Sequence, residues 1–488
     1  MSSKDKPSFA ELFSPEHFRE LGHEVINKLA DDLVRTQTKQ QAVVSLIPPG
    51  VAIEKWSEKV PEEGEAASAL LQQLYSEVLE HSLRVHHPRN VGHQVSPPLP
   101  LTVLGDLISA LTNQAMAVYE TGPSATMIER QVIGWFCELL GWGDGDGILT
   151  SGGAMANLTA LLSARQVMFD GDVWKHGVGA CQFKILASEY VHYSVSRAAG
   201  IMGLGTDAVV SVSVDASGSM DMNALRRAFD DTCANGAQPF VVVGTAGCTP
   251  TGSVDPLEDL ATFCAKNRLW FHVDGVHGAS GLLTEKHRDA LKGIELADSV
   301  TWDGHKLLYV PATVSAVLFK DPIHSYAAFS QQAPYLFQGE NPTEEAFNTS
   351  YRTLECTKRM MGLKLWMAFK AYGKRQLGSL IEHVYATAQA FAAMLAESKD
   401  FELLMMPQTN IVCFRYHGDA YGAPDQASQR QAEIRRKLVE SGAYHLTQTQ
   451  IRGAIWLRIT IMNPLTEIAD LQALMEDIRR VEPDQQAC

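Results

Sequence analysis

The chain has 488 residues, 45% apolar, 8% aromatic and 20% charged, the composition of an ordinary globular protein long enough for two or three packed units. Asp and Glu number 56 against 41 Lys and Arg, a net charge of −15, so phosphate backbones and anionic membrane surfaces repel it and neither is an expected partner. No apolar run reaches the roughly 20 residues that span a bilayer, and the polar opening Met1-Ser2-Ser3-Lys4-Asp5-Lys6 lacks a signal-peptide core; a cytoplasmic protein is expected.

Residues 15 to 36 set Phe18, Leu21, Val25, Ile26, Leu29 and Leu33 at helical spacing behind Ser14-Pro15, a cap followed by a first-turn proline. Pro48-Pro49-Gly50 and Pro61-Glu62-Glu63-Gly64 break that pattern. A second amphipathic helix runs through Leu70, Leu71, Leu74, Val78 and Leu79, after which Pro88, Pro97, Pro98 and Pro100 mark a long loop. Residues 1–95 therefore read as a helical N-terminal segment. Over 96–373, apolar runs at 183–187, 240–244, 270–273, 299–302 and 315–319 alternate with helical stretches, the pattern of an α/β sheet covered on both faces. A helix from Thr357 through Trp366 and Phe369 ends at Gly373, and another follows. Strands at 411–416 and 454–462 then give 374–488 the texture of a small α+β domain. Arg458 interrupts the otherwise apolar strand Ile455-Trp456-Leu457-Arg458-Ile459.

The eight cysteines (Cys137, Cys181, Cys233, Cys248, Cys264, Cys356, Cys413 and Cys488) show no C-x-x-C pair and no histidine at zinc spacing, so neither a disulfide framework nor a metal site is expected.

Three segments carry chemistry. Thr150-Ser151-Gly152-Gly153-Ala154-Met155-Ala156-Asn157 precedes a helix, and free amides at a helix start behind glycines can hold a phosphate; a tight strand-to-helix turn is the bland alternative. Trp270-Phe271-His272-Val273-Asp274-Gly275-Val276-His277 puts an acid at the carboxyl end of an apolar strand, where open α/β sheets bind ligands, although a helix cap is the commoner use. Further on, the apolar run Ser299-Val300-Thr301-Trp302 leads into Asp303-Gly304-His305-Lys306, with Lys306 thirty-two residues after Asp274. A buried lysine is costly unless neutral, paired or modified. Together these are the parts needed to hold pyridoxal 5'-phosphate: amides of Gly153 and Ala154 for the phosphate, Asp274 for the pyridinium nitrogen and Lys306 for a Schiff base.

On those residues the chain resembles the group II pyridoxal-phosphate amino-acid decarboxylases, the glutamate, cysteine-sulfinate, aromatic amino-acid and diaminobutyrate enzymes. His86-His87-Pro88-Arg89, Glu189-Tyr190-Val191-His192-Tyr193-Ser194 and Leu457-Arg458-Ile459-Thr460-Ile461-Met462-Asn463-Pro464 extend the likeness over nearly the whole chain. The resemblance implies a fold-type I (aspartate-aminotransferase-like) architecture with a mostly parallel central sheet, and decarboxylation of an L-amino acid to its amine and carbon dioxide. It further implies that His192 stacks on the cofactor ring, that Asp303 and His305 flank Lys306 at the cofactor, and that Arg458 holds the substrate carboxylate. Cys248, in Gly247-Cys248-Thr249, stands where the family carries a threonine near the cofactor. Val276 stands where it carries an alanine at the ring face. Tyr335, in Gln331-Gln332-Ala333-Pro334-Tyr335, resembles the family's loop proton donor, with Tyr351 a second candidate. His93 and Gln94 occupy the stretch lining the substrate side, and their polarity suits a polar or acidic substrate such as glutamate, aspartate or cysteine sulfinate. Aromatic or diaminobutyrate decarboxylation, a transaminase or lyase of the same fold, and a catalytically silent scaffold are the alternatives. The resemblance also implies a homodimer with the active site at the interface, and the one-faced N-terminal helices call for such a partner.

Overall fold

The computed structural model describes residues 8–169, 171–329, 345–418 and 424–481. Seven strands form the main sheet: β1 (Asp146–Thr150), β2 (Phe183–Ser188), β3 (Val209–Val212), β4 (Gln238–Thr245), β5 (Trp270–Asp274), β6 (Ser299–Asp303) and β7 (Ser315–Phe319), in the order β1-β7-β6-β5-β4-β2-β3. β7 runs antiparallel to both its neighbours, and the other pairings are parallel. This is the mostly parallel α/β sheet of the fold-type I enzymes.

Every residue of β5, β6 and β7 is buried, because the sheet lies between two apolar layers. Alternation along each strand divides the side chains. Leu149, Leu186, Val242 and Val300 join one core with helices Pro123–Leu140, Leu257–Asn267 and Gly362–Glu397; Ile148, Ile185, Val241 and Val317 join the other with helix Gly153–Val167. A second, antiparallel sheet holds β8 (Phe401–Leu403), β9 (Ile411–Tyr416), β10 (Thr447–Ile451) and β11 (Ala454–Thr460) in the order β10-β11-β9-β8. Among the described residues no helix is long and apolar enough to cross a membrane.

The helix expected at 15–36 spans Pro15–Gln37, with the His17 amide donating to the Ser14 hydroxyl at 3.2 Å. Gly373, at φ 69°, interrupts the long helix of 362–397 where the break was expected. The chain is non-helical at 38–48 and 80–99, as the prolines led one to expect, but Pro49 and Pro100 themselves each open a helix, Pro49–Trp56 and Pro100–Thr112. Proline is well suited to a first turn, where its missing N–H would have no intrahelical acceptor.

One buried cation ties β1 to the layer beneath it. Lys358 Nζ pairs with the Glu129 carboxylate and donates to the Leu149 carbonyl at 2.8 Å, while Glu129 also accepts from the Leu149 amide at 3.1 Å. Lys358→Met should lower stability by about 3–5 kcal/mol because it leaves Glu129 buried and uncompensated. Adding Glu129→Gln should recover part of that loss in urea denaturation.

Candidate active site

The carboxyl ends of β1, β2, β4, β5 and β6 meet at a cavity of about 200 Å³. Each strand end contributes to its wall: Gly153, Ala154 and Asn157 after β1, His192 after β2, Thr245, Gly247 and Thr249 at the end of β4, Asp274, Val276 and His277 at β5, and Asp303 and Lys306 at β6. Open α/β sheets place their ligands at this edge.

The turn after β1 depends on Gly152, whose φ of 154° and ψ of 162° lie in a region essentially reserved for glycine. The first helical bonds run from the Met155 and Ala156 amides to the Gly152 carbonyl, which leaves the Gly153 and Ala154 amides as donors at the helix start. A Cβ on Gly153 would come within 2.8 Å of Val276 Cγ2 and 3.2 Å of Asp303 Oδ1, so this helix start lies tightly against the β5 and β6 ends.

Asp274 is buried and receives Asn157 Nδ2 at 2.9 Å. Burial raises the pKa of Asp303, while His305 and Lys306 oppose that rise. Asp303 is held by the Ser315 hydroxyl and by His305 Nε2 at 3.4 Å. Burial lowers the pKa of the Lys306 amine and Arg458 adds to the effect, against the pull of Asp303 and Asp274. Among the described residues that amine has no hydrogen-bond or ion-pair partner, and it opens onto the cavity. Burial also lowers the pKa of His192.

Arg458 lies beside this chamber, 5% exposed on β11. Its Nε donates to the Thr249 carbonyl at 2.9 Å and its Nη1 to the Thr447 hydroxyl at 3.3 Å, but Nη2 has no partner among the described residues. A buried guanidinium with an unused donor calls for an anion.

The expected site residues divide by position. Gly153, Ala154, His192, Asp274, Val276, Asp303 and Lys306 share the cavity wall. Cys248 is buried next to it, but its thiol faces the hydroxyls of Thr251 and Ser253 at 3.0 and 3.1 Å, and its neighbours Gly247 and Thr249 line the cavity instead. His305 sits behind Asp303, with Nδ1 at 2.9 Å from the Val314 carbonyl. His93 is exposed, with its ring centroid 5.4 Å from that of His445, and Gln94 keeps a buried Nε2 without a partner. Tyr351 closes a short turn at Thr349–Tyr351 and is not part of the cavity wall, and Tyr335 lies outside the described residues. Sequence reasoning missed Asn157, Thr245, Thr249 and His277. Asn157 was accessible to it, lying one helical turn beyond Gly153 on the same face.

The donor set fits a phosphorylated pyridine aldehyde: free amides for a phosphate, a carboxylate for a ring nitrogen and an unpaired amine for the aldehyde. The comparisons agree. Residues 49–417 match the pyridoxal-dependent decarboxylase conserved domain. The chain belongs to this family. It is a pyridoxal-phosphate-dependent amino-acid decarboxylase. Cysteine sulfinic acid decarboxylase of Mus musculus is 31% identical over 86% of this chain and 87% of its own. Aromatic-L-amino-acid decarboxylase of Bacillus atrophaeus is 29% identical over 96% and 95%. Among solved structures, mouse CSAD in apo form superposes with a TM-score of 0.90 at 28% identity, covering 96% of this chain and 100% of that one. The decarboxylase relatives thus divide between acidic and aromatic substrates at nearly equal identity, so only the site can separate the two.

Proposed function

We propose that this decarboxylase acts on an L-amino acid with an acidic side chain, and that Lys306 carries the cofactor. The observation favouring an acidic substrate is electrostatic. Besides burial, Arg458 and Arg435 both lower the pKa of His93, and among the described residues no carboxylate offsets them. An acidic side chain meets attraction in such a field, and a diamine meets repulsion.

In this reading the Gly153 and Ala154 amides, with His305 nearby, would hold the phosphate end of the cofactor, and Asp303 would keep His305 in place beside Lys306. Asp274 would pair with the ring nitrogen, and His192 and Val276 would flank the ring, with Thr249 rather than Cys248 reaching inward from the turn after β4. When bound, pyridoxal phosphate supplies a conjugated ring that delocalises the electron pair released at the α-carbon. Arg458 anchors the substrate carboxylate and so fixes which α-bond is presented for cleavage, while His93 and Gln94 face the side chain. Tyr335 returns the proton to the α-carbon, with Tyr351 as the alternative donor.

Cysteine sulfinate, glutamate and aspartate should exceed tryptophan, tyrosine and diaminobutyrate by about 100-fold in kcat/KM, a discrimination within reach of charge complementarity. Measured carbon dioxide release from that panel checks this, and preference for an aromatic substrate would transfer the assignment to the reaction of the Bacillus relative. Release of keto acid without carbon dioxide would point to a transaminase.

We further propose three units, 1–95, 96–373 and 374–488, a division supported by the two separate sheets and by the Gly373 kink. A homodimer is proposed as well. Helix Pro100–Thr112 exposes Leu101, Val103, Leu104, Leu107, Ile108 and Leu111, an apolar face that a second copy would bury. Analytical ultracentrifugation should give a dimer, and a fully active monomer would overturn the idea. The cytoplasm is the proposed location, in keeping with cysteines that are free throughout the described residues.

A further inference from the structure

We propose that Ser299 and His272, buried residues behind the cavity wall, set the hydrogen-bonding sense of both Asp274 and His192 through a one-way chain of donors. The idea deepens the cofactor reading and rests on it for the role of Asp274. The ladder between β5 and β6 places His272 opposite Ser299 and Asp274 opposite Thr301, so all four side chains point to one face of the sheet.

The chain starts at Trp270, whose indole N–H can only donate, and it donates to Ser299 Oγ at 2.9 Å. Ser299 is fully buried, and the acceptor within reach of its own proton is His272 Nδ1 at 2.8 Å. His272 is neutral, since burial pushes its pKa down to about 4. Its single proton therefore sits on Nε2 and goes to Asn157 Oδ1 at 3.1 Å. Thr301 Oγ1 donates to the same oxygen at 2.9 Å.

The amide oxygen of Asn157 is thereby filled, and its nitrogen must face the other way. That nitrogen donates to Asp274 Oδ2 at 2.9 Å and to Ser194 Oγ at 3.0 Å. Ser194 in turn sends its own proton to His192 Nδ1 at 2.9 Å, where its backbone N–H also points, at 3.3 Å. Asn157 thus makes all four bonds its amide allows. At one end of the chain Asp274 is held as an acceptor. At the other, neutral His192 is held in the tautomer that carries its proton on Nε2. Ser299 and His272 are positioning residues in this scheme, acting through Asn157.

Ser299→Ala tests the chain. Without the serine proton, the His272 proton is free to move to Nδ1; Nε2 then becomes an acceptor, and the Asn157 amide turns over to present its oxygen to Asp274. The dissociation constant for pyridoxal phosphate should rise about tenfold, the scale of one misdirected hydrogen bond. The absorption spectrum of the bound cofactor should change with it. Ser299→Thr keeps the hydroxyl and should restore both. An Ala variant that folds with wild-type affinity and spectrum would overturn the proposal. Should Ser299→Ala fail to fold, neutron diffraction of the wild-type enzyme decides: deuterium on Nε2 of His272 and His192 supports the chain, and deuterium on Nδ1 of either refutes it. These outcomes are independent of whether Lys306 carries the cofactor, which Lys306→Ala tests separately.

Discussion

Lys306→Ala should reduce kcat/KM by about 10³-fold or more, as loss of a covalent catalytic group does, and should abolish the absorption band of the lysine–cofactor imine. The structure explains the size of the effect. Lys306 stands just past the end of β6 with an amine that has no partner among the described residues, and burial with Arg458 lowers its pKa below that of an ordinary lysine. A larger share of the amine is then unprotonated and nucleophilic at neutral pH. Alanine removes the nucleophile and leaves the rest of the wall in place. Equilibrium dialysis should accordingly find pyridoxal phosphate still bound, more weakly, through the Gly153 and Ala154 amides and Asp274. If the imine band survives, another lysine carries the cofactor and the assignment fails.

Arg458→Ala should act on the other reactant. A fall of about 100-fold or more in kcat/KM, mostly as a raised KM, is expected, because truncating one partner of a buried charged contact leaves the other without compensation. Cofactor affinity should stay near wild type, since the Arg458 contacts run to Thr249 and Thr447 rather than to the Gly153 turn or Asp274. Arg458→Lys should rescue little. One ammonium cannot hold the Thr249 carbonyl and also offer the planar pair of donors that a carboxylate takes. Steady-state kinetics together with a cofactor titration separate the two constants. A loss of cofactor with KM unchanged would move Arg458 to the cofactor side.

Much of the architecture was legible because buried parallel strands must be apolar throughout, and β5, β6 and β7 announce themselves as such runs. The edges were not. β10 carries Thr447-Gln448-Thr449-Gln450, polar because it pairs with β11 alone, and β3 and β8 are only four and three residues long. Short or polar edge strands carry little periodicity. In the candidate site, Gly153, Asp274 and Lys306 were visible because each sits beside an apolar run that ends abruptly in polar residues. Thr249 and His277 were not, because the fold alone brings the β4 and β5 turns to one chamber. The Cys248 thiol faces Thr251 and Ser253 for a similar reason: the local turn decides which side chains of Gly247-Cys248-Thr249 reach inward, and residue order does not reveal it.

The reversed direction of β7 bears on how Lys306 moves. Asp303 and Ser315 face each other across the β6–β7 ladder, and the Gly304 amide extends that ladder to the Val314 carbonyl at 3.0 Å, so the segment carrying Lys306 is the head of a closed hairpin. Ser96 Oγ grips the His305 carbonyl at 3.1 Å and the Leu99 amide grips Tyr309 at 2.8 Å, which clamps the head from outside. The lysine is therefore carried on a braced backbone, so in the proposed role its exchange of one bonding partner for another would be a rotation about side-chain bonds.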